Sequence, residues 1–397
     1  MPVAVLTGAR QTGKSTLASR IGTEGGGPPR RYRSLDEFDV LDASRRDPDS
    51  LLVGPEPITL DEVQRAPGLL LAVKRAVDRE RRPGQFLLTG SADLLLMRQV
   101  SESLAGRAAY VTLHPLTPSE TDGHGQAGAW GDLLGAAEAD WPDLVASRPE
   151  RPRDWRALAR RGGFPVPALH LATDEARADW FEGYERTYLE RDLRALAQIT
   201  ALTDFRRLMR VASLRLGQVI NQTELGRDAG LPQPTVRRWL NLLETSYLLV
   251  RLPPYSVNRT KRLIKAPRLY WGDVGLALDL GGGEPSGAHL ENIVLGDLVS
   301  WRDARPARGG RHPGRAEVFF WRTTLGEEVD FVVECGDRLL PIEVKATASP
   351  RFRDTKGLRA FAAEYGDAAC PGLLLHAGAE VSWIAPRVLA APWWRVL

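Results

Sequence analysis

Residues 8–16 read GARQTGKST and follow a short apolar run, Val3–Thr7. The stretch matches the phosphate-loop pattern GxxxxGK[ST], in which two glycines let the backbone curl so that its N–H groups converge on phosphate oxygens. A helix starting near Lys14 would direct the positive end of its dipole at the same place. The sequence therefore predicts a nucleotide site formed by a strand, a loop and a helix.

The residues of this loop have separate expected roles. Lys14 would reach the β- and γ-phosphates of a bound nucleotide, and Ser15 would hold Mg²⁺. The candidate nucleotide-binding residues are Gly8, Ala9, Arg10, Gln11, Thr12, Gly13, Lys14, Ser15 and Thr16.

Further catalytic candidates end the next two apolar runs. Ile58–Asp61 has the form of a strand that ends in a Mg²⁺-binding carboxylate, here Asp61. The adjacent Glu62 would polarise the attacking water, which favours hydrolysis over binding alone. After a second run, Thr89 or Ser91 is a candidate sensor of the γ-phosphate, although an ordinary strand-end turn has the same composition.

Two arginines are candidates for the residue that completes the active site of a neighbouring subunit. Arg107 precedes a predicted strand, and Arg191 lies on a predicted helix within YLERDL. Each is equally the kind of arginine that forms a surface ion pair. If either acts between subunits, the chain forms a homo-oligomer, as a ring or a dimer.

Composition excludes several classes of protein. The chain has 397 residues, of which 43% are hydrophobic and 26% charged, as in a globular protein rather than a disordered or collagen-like one. Two isolated cysteines and six scattered histidines predict neither a disulfide scaffold nor a zinc site. No apolar run approaches the roughly 18–20 residues that span a bilayer, so we expect a cytoplasmic protein without membrane contact.

Positive charge is concentrated in residues 201–270, which hold 13 Lys or Arg against 4 Asp or Glu, a local excess of 9 in a chain of net charge +3. Such a concentration predicts a polyanionic partner. Residues 219–250 have the pattern of a helix–turn–helix, with Thr223 as N-cap, a turn at 230–232, and Pro234 in the first turn of the second helix.

This segment predicts a winged helix that binds DNA. The second helix would enter a groove, and the basic loop after it would contact phosphates. The candidate DNA-binding residues are Thr235, Arg237, Arg238 and Asn241 on the helix, and Arg259, Lys261, Arg262 and Lys265 on the loop. A winged helix that serves only for packing, or as the lid of an ATPase, is the alternative.

A carboxylate pattern occupies the C-terminal part of the chain. Asp330 and Glu343 lie on two predicted strands joined by a turn, and Lys345 shares a strand face with Glu343. With Glu291 from a predicted helix, these groups would hold Mg²⁺ and activate water for phosphodiester cleavage. The alternatives are a nuclease fold without activity and mere surface charge.

Together the motifs resemble a widespread prokaryotic family that joins an AAA-type ATPase domain to a C-terminal domain of the DUF4143 type, which has a restriction-endonuclease-like fold. The resemblance extends through ITLDEVQ, LLTGSADLL, NRTKRLIKAPRLYWGDVGL, GEEVDFVVE and IEVKAT. It implies ATP binding and hydrolysis, with Lys14, Ser15, Asp61 and Glu62 in the usual roles. It implies that Glu291, Asp330, Glu343 and Lys345 occupy nuclease-motif positions, but it does not imply cleavage.

The predicted fold class is α/β in three domains. These are a P-loop ATPase domain with a parallel sheet at 1–165, a helical and winged-helix domain at 166–255, and an α/β restriction-endonuclease-like domain at 256–397. The leading functional hypothesis is a Mg²⁺-dependent ATP hydrolase that acts on DNA as a switch or motor. The alternatives are an ATP-dependent regulatory or scaffolding protein that binds protein partners, and a metal-dependent nuclease with ATP as a structural ligand.

Overall fold

The computed structural model describes residues 1–22, 28–90, 104–125, 128–148, 152–187, 201–258, 262, 265–304 and 316–397. The chain divides into two compact units. The first contains Met1–His114 and Leu242–Leu248, and the second contains Pro115–Glu185, Ala201–Asn241 and Leu249–Leu397. These units are defined by contacts, so the three predicted domain ranges stay a prediction.

A five-stranded parallel sheet forms the centre of the first unit, with strand order β2-β3-β4-β1-β5. Its strands are β1 Val3–Thr7, β2 Arg31–Ser34, β3 Ile58–Asp61, β4 Phe86–Thr89 and β5 Ala108–Thr112. The helices of this part are α1 Lys14–Arg20, α2 Phe38–Arg46, α3 Pro48–Leu51 and α4 Gly68–Arg79. Apolar strand residues pack on the buried face of α4, which includes Leu69, Val73 and Val77, and form the core of this part.

Helices dominate the middle of the chain. They are α5 Pro118–Thr121, α6 Trp130–Gly135, α7 Trp141–Ala146, α8 Trp155–Arg161, α9 Pro165–Leu169, α10 Asp174–Thr187, α11 Leu202–Ser213, α12 Gln222–Ala229 and α13 Gln233–Thr245. An antiparallel strand pair follows, β6 Leu249–Leu252 with β7 Arg268–Trp271, and Val219 adds an isolated bridge to Arg268. The cap of α12 is Asn221, whose side chain accepts from the N–H groups of Thr223 and Glu224, so the prediction of Thr223 as N-cap is wrong.

A mixed six-stranded sheet of order β12-β13-β11-β10-β9-β8 forms the C-terminal part. The strands are β8 Glu317–Arg322, β9 Glu328–Cys335, β10 Arg338–Lys345, β11 Gly372–His376, β12 Ser382–Ala385 and β13 Val388–Pro392. The helices are α14 Val274–Gly281, α15 Gly287–Ala304, α16 Lys356–Tyr365 and α17 Trp393–Val396. A parallel N-terminal sheet, a helical middle and a mixed C-terminal sheet confirm the predicted α/β fold class. Within the described ranges, every helix is too short or too polar to cross a membrane.

Two buried aspartates hold chain segments together in the second unit. Asp273 caps α14 by accepting from the Leu276 N–H at 2.9 Å, and it also accepts from the Gly163 N–H at 2.6 Å. Asp297 accepts from the indole N–H of Trp130 at 2.6 Å, but its Oδ2 has no hydrogen-bond partner among the described residues. Burial raises the pKa of both carboxyl groups, to about 6 for Asp297.

We expect Asp297→Asn to remove a pH dependence of stability. The folded pKa of about 6 lies above the ordinary 3.8, so stability is greatest below the ordinary pKa and falls as pH rises through the folded one. Once Asp297 is fully ionised, the free energy of unfolding has fallen by about 3 kcal/mol. Asparagine cannot ionise and keeps an oxygen for Trp130. The free energy of unfolding of Asp297→Asn, relative to wild type, should therefore increase by about 1 kcal/mol between pH 5 and pH 8.

Denaturant unfolding of both proteins at the two pH values measures this difference. The control is Asp273→Asn, which should destabilise the chain at both pH values. Both oxygens of Asp273 accept from backbone N–H groups, and an amide nitrogen cannot replace one of them as an acceptor. A difference in the free energy of unfolding between Asp297→Asn and wild type that is equal at pH 5 and pH 8 would contradict this expectation.

Candidate functional site

The carboxyl ends of three parallel strands lie level with one another in the first unit. Leu6 of β1 pairs with Thr89 of β4, and Leu60 of β3 pairs with Leu88 of β4. The loop after β1, the carboxylate that ends β3 and the hydroxyl that ends β4 therefore share one edge of the sheet. Ligands of open α/β sheets bind at this edge.

Glycine is required at two positions of the loop of residues 8–16. Gly8 has φ 137° and Gly13 has φ 91°, values that side-chain-bearing residues rarely adopt. A Cβ on Gly8 would also overlap the carbonyl oxygen of Leu113. Gly13 lies directly before α1, whose first turn carries no acidic residue. The loop thus has the curled backbone that the phosphate-loop pattern predicts.

The Lys14 side chain lies folded against its own loop. Its Nζ donates to the carbonyl oxygens of Gly8 at 3.1 Å and Ala9 at 2.6 Å, and the residue is 7% exposed. Thr12 is also buried and donates to the Ala9 carbonyl at 2.9 Å. An ammonium group has three protons, so phosphate oxygens could take the place of these carbonyls. Ala9 is buried, Arg10 half-buried, and Gln11, Ser15 and Thr16 are exposed.

Asp61 is the centre of a hydroxyl network at the same edge. It is 3% exposed and accepts from Ser15 at 3.1 Å, from the Tyr32 hydroxyl at 2.7 Å and from Thr89. Burial, and next the bond to Asp61, raises the pKa of Tyr32, which keeps its proton for donation. Sequence reasoning missed Tyr32, because its place on β2 becomes informative only once β2 pairs with β3.

These residues fit a magnesium ion. Mg²⁺ prefers hydroxyl, carboxylate, phosphate and water oxygens, and here the Ser15 hydroxyl touches the Asp61 carboxylate. Glu62 follows with a left-handed backbone, φ 58°, and its carboxylate accepts from the side chain of Gln64. Ser15 and Asp61 would therefore hold the ion, with Glu62 beside them.

Arg107, one of the two arginines predicted to act in the site of a neighbouring subunit, lies away from the loop of residues 8–16. Arg107 donates to Asp78 on α4 at 2.7 Å and precedes β5, so it lies at the amino edge of the sheet, opposite the loop of residues 8–16 in the same chain. A role in a neighbour's site stays a prediction for Arg107. Arg191 and Ser91 lie outside the described residues.

The predicted DNA-binding residues of α13 are at the surface. Arg237, Arg238 and Asn241 are exposed, and Thr235 is half-buried. Asn241 accepts from Arg251 at 2.8 Å. The structure records no ion pair of Arg237 or Arg238 with any acid in the ranges it describes. Of the loop residues, Lys265 is exposed, whereas Arg259 and Lys261 lie outside the described residues.

Arg262 corrects the prediction of a phosphate contact. It is 9% exposed and donates to both carboxylate oxygens of Glu334, at 2.6 and 2.9 Å, and to the Ser256 carbonyl at 2.5 Å. Its guanidinium also lies 4.5 Å from the ring centres of Tyr255 and Phe319. Binding a phosphate would break a buried, bidentate ion pair, so the C-terminal core holds this arginine.

The carboxylate pattern of the C-terminal part forms on a hairpin. Strands β9 and β10 are antiparallel, with Phe331 opposite Ile342, which places Asp330 opposite Glu343. Both oxygens of Asp330 already have partners. Oδ1 accepts from Arg268 at 3.0 Å, and Oδ2 accepts from the Val344 N–H at 3.0 Å. Arg268 was not singled out from the sequence.

The other carboxylates of this cluster are partnered only in part, because Glu343 Oε2 is buried without a hydrogen-bond partner among the described residues. Lys345 donates to Glu343, and Tyr270 donates to Glu291 at 2.9 Å. Burial, and next the charge of Asp330, raises the pKa of both glutamates. Among the residues that the structure describes, no three His, Cys, Asp or Glu side chains are arranged to hold a metal ion. As arranged, the residues do not form the predicted C-terminal Mg²⁺ site, because Arg268 and Lys345 already pair with oxygens of Asp330 and Glu343.

Family models match three consecutive segments of the chain. They are an AAA domain at residues 1–121, a domain of unknown function, DUF8612, at 152–286, and a domain of unknown function, DUF4143, at 286–396. The uncharacterized proteins Rv2008c of Mycobacterium tuberculosis and Mb2031c of Mycobacterium bovis are each 32% identical to it over 360 residues. The alignment covers 88% of this chain and 71% of each relative. The chain belongs to the family that joins an AAA-type P-loop ATPase domain to a C-terminal DUF4143 domain.

Proposed function

We propose that the chain is a Mg²⁺-dependent ATP hydrolase that works as a switch or motor, with its ATP cycle coupled to DNA binding through α13. The observation that supports hydrolysis most strongly is the meeting of three groups at one sheet edge. Lys14 lies in the curled loop, and Ser15 contacts the buried carboxylate of Asp61. The family supplies the nucleotide-binding AAA domain.

Each residue has a defined task in this proposal. The N–H groups of residues 8–16 surround the phosphates, and Lys14 exchanges the Gly8 and Ala9 carbonyls for phosphate oxygens. Ser15 and Asp61 would hold Mg²⁺, which when bound neutralises charge developing on the phosphate oxygens. Glu62 accepts the proton of the attacking water. Its bond to Gln64 would orient the carboxylate for that step.

The case for DNA rests on exposed charge. The order helix, short bridge, two helices and two antiparallel strands, from α11 to β7, supports the winged helix in this proposal. Arg237 and Arg238 lie on the exposed face of α13, the third helix in this order, where their charge is available to phosphates. Lys265 adds an exposed charge in the following loop.

Cleavage of DNA is no part of this proposal, because Arg268 and Lys345 pair with Asp330 and Glu343 at the predicted metal site. The second candidate is an ATP-dependent regulatory or scaffolding protein, whose middle and C-terminal domains bind protein partners. The burial of Arg262 favours it, since the basic loop has one phosphate contact fewer than the sequence suggested. In either candidate, we include a homo-oligomer in the proposal.

Lys14→Ala should reduce ATP hydrolysis at least about hundredfold and weaken nucleotide binding, because the phosphates lose their positive partner. The measurement is steady-state phosphate release by purified protein with Mg²⁺. Lys74→Ala on α4 is the matched control and should keep wild-type turnover. Turnover that survives in Lys14→Ala would refute hydrolysis at this site.

Glu62→Gln should lower kcat by about 10²–10⁴-fold and leave ATP affinity nearly unchanged, because a neutral amide cannot accept the proton of water. Fluorescent-nucleotide binding and single-turnover hydrolysis separate the two effects. An unchanged kcat, or a loss of affinity as large as the loss of rate, would remove Glu62 from the assigned role.

Arg237→Ala combined with Arg238→Ala should weaken duplex binding and make the slope of log affinity against log salt less negative by about 2, one unit for each lost phosphate contact. Fluorescence anisotropy over a salt series measures the slope. Arg46→Ala, another exposed arginine, is the control and should keep the wild-type slope. Absent or salt-insensitive DNA binding in wild type would favour the regulatory alternative.

A further inference from the structure

Tyr247 contacts the strand that leads into the phosphate-binding loop. It follows α13, which ends at Thr245, and its hydroxyl donates to Thr7 Oγ1 at 3.1 Å. Thr7 is the last residue of β1, and Gly8 of the loop comes directly after it. Tyr247 and Thr7 both belong to the first compact unit. The hydroxyl of Tyr247 is thus bonded one residue away from the loop.

The backbone of Tyr247 has a conformation in which glycine is usual. Its φ is 60°, and it lies where the Leu248 N–H returns to the Leu243 carbonyl at 3.0 Å. A helix that closes in this way normally places glycine at the left-handed residue. The tyrosine ring therefore leaves the end of α13 in a fixed direction, and backbone strain at a non-glycine residue points to a side chain with a task.

Thr7 has little room to move independently of its neighbours. It is 4% exposed, its Oγ1 donates to the Val111 carbonyl at 3.3 Å, and its carbonyl accepts from the Leu113 N–H at 2.8 Å. The next residue, Gly8, packs so closely on Leu113 that a Cβ would overlap it. In so dense a region, a shift of Gly8 displaces the Thr7 hydroxyl as well.

Nucleotide binding would change the forces on Gly8. The Lys14 ammonium now donates to the Gly8 carbonyl at 3.1 Å. Phosphate oxygens bind an ammonium more strongly than a neutral carbonyl does. When phosphate oxygens accept this hydrogen bond from Lys14 instead, the Gly8 carbonyl loses its bond to the ammonium. Gly8 is the residue next to Thr7, to which Tyr247 is bonded.

We propose that Tyr247 is a positioning residue through which nucleotide in the loop of residues 8–16 changes the state of α13. The proposal rests on the proposed function, because it requires nucleotide in that loop. A bound nucleotide breaks the hydrogen bond between Lys14 and the Gly8 carbonyl, and Gly8 shifts together with the Thr7 hydroxyl. Because Tyr247 is bonded to Thr7, this shift moves the end of α13. Arg237 and Arg238 lie on the same helix, so a change at its end would alter the helix that carries the proposed DNA-binding arginines.

Hydrogen exchange of the full chain, with and without a Mg²⁺-bound non-hydrolysable ATP analogue, tests this step. In wild type, nucleotide should slow exchange in residues 8–16 and change exchange in residues 233–248 by about tenfold, the range of ordinary allosteric coupling. Tyr247→Phe should keep the change at 8–16 and lose the change at 233–248. Tyr110→Phe removes the hydroxyl of an exposed tyrosine on β5 and should behave as wild type.

Variants of Thr7 separate coupling from simple destabilisation. Thr7→Ser keeps the hydroxyl and should keep the response of residues 233–248, whereas Thr7→Val should lose it. Combining Thr7→Val with Tyr247→Phe should add no further loss, because the two act through one bond. A full response of residues 233–248 in Tyr247→Phe overturns the proposal. A wild-type chain that shows no protection of residues 8–16 overturns the proposed function instead.

Discussion

Parallel strand pairing is the constraint on which the nucleotide site depends. It brings the ends of β1, β3 and β4 to one edge, where the Asp61 carboxylate lies 3% exposed. A buried carboxylate is costly unless it is hydrogen-bonded. Here three hydroxyl groups, from Ser15, Tyr32 and Thr89, supply those bonds. Each comes from a different strand or helix, so the sheet must form before the site does.

The two carboxylate sites of the chain differ in how their charge is balanced. Hydroxyl groups alone hold Asp61 among the described residues, which leaves its negative charge for a divalent cation. In the C-terminal hairpin, Arg268 donates to Asp330 and Lys345 donates to Glu343. Carboxylates thus form a site without an ion pair at one sheet and a cluster with internal ion pairs at the other. This contrast is why hydrolysis of ATP, and not of DNA, is the activity proposed.

Features that depend on nearby residues could be predicted from the sequence. The spacing of Gly8, Gly13 and Lys14 predicted the loop, and the distance from Asp330 to Glu343 suited a hairpin. Partners from distant segments could not be predicted. Tyr32, Arg268 and Tyr247 act through strand pairing or helix ends that no local pattern encodes. Its charge alone predicted a phosphate contact for Arg262. The residue instead pairs with Glu334, on a strand 72 residues away.

The central claim is that ATP turnover responds to nucleic acid. The direct measurement is ATP hydrolysis by the full chain with Mg²⁺, without DNA, with duplex and with single-stranded DNA, using Lys14→Ala as the blank. We expect faster turnover with DNA, and loss of that stimulation when Arg237 and Arg238 are both replaced by alanine. Turnover that is equal with and without DNA would contradict the coupling and point to protein partners.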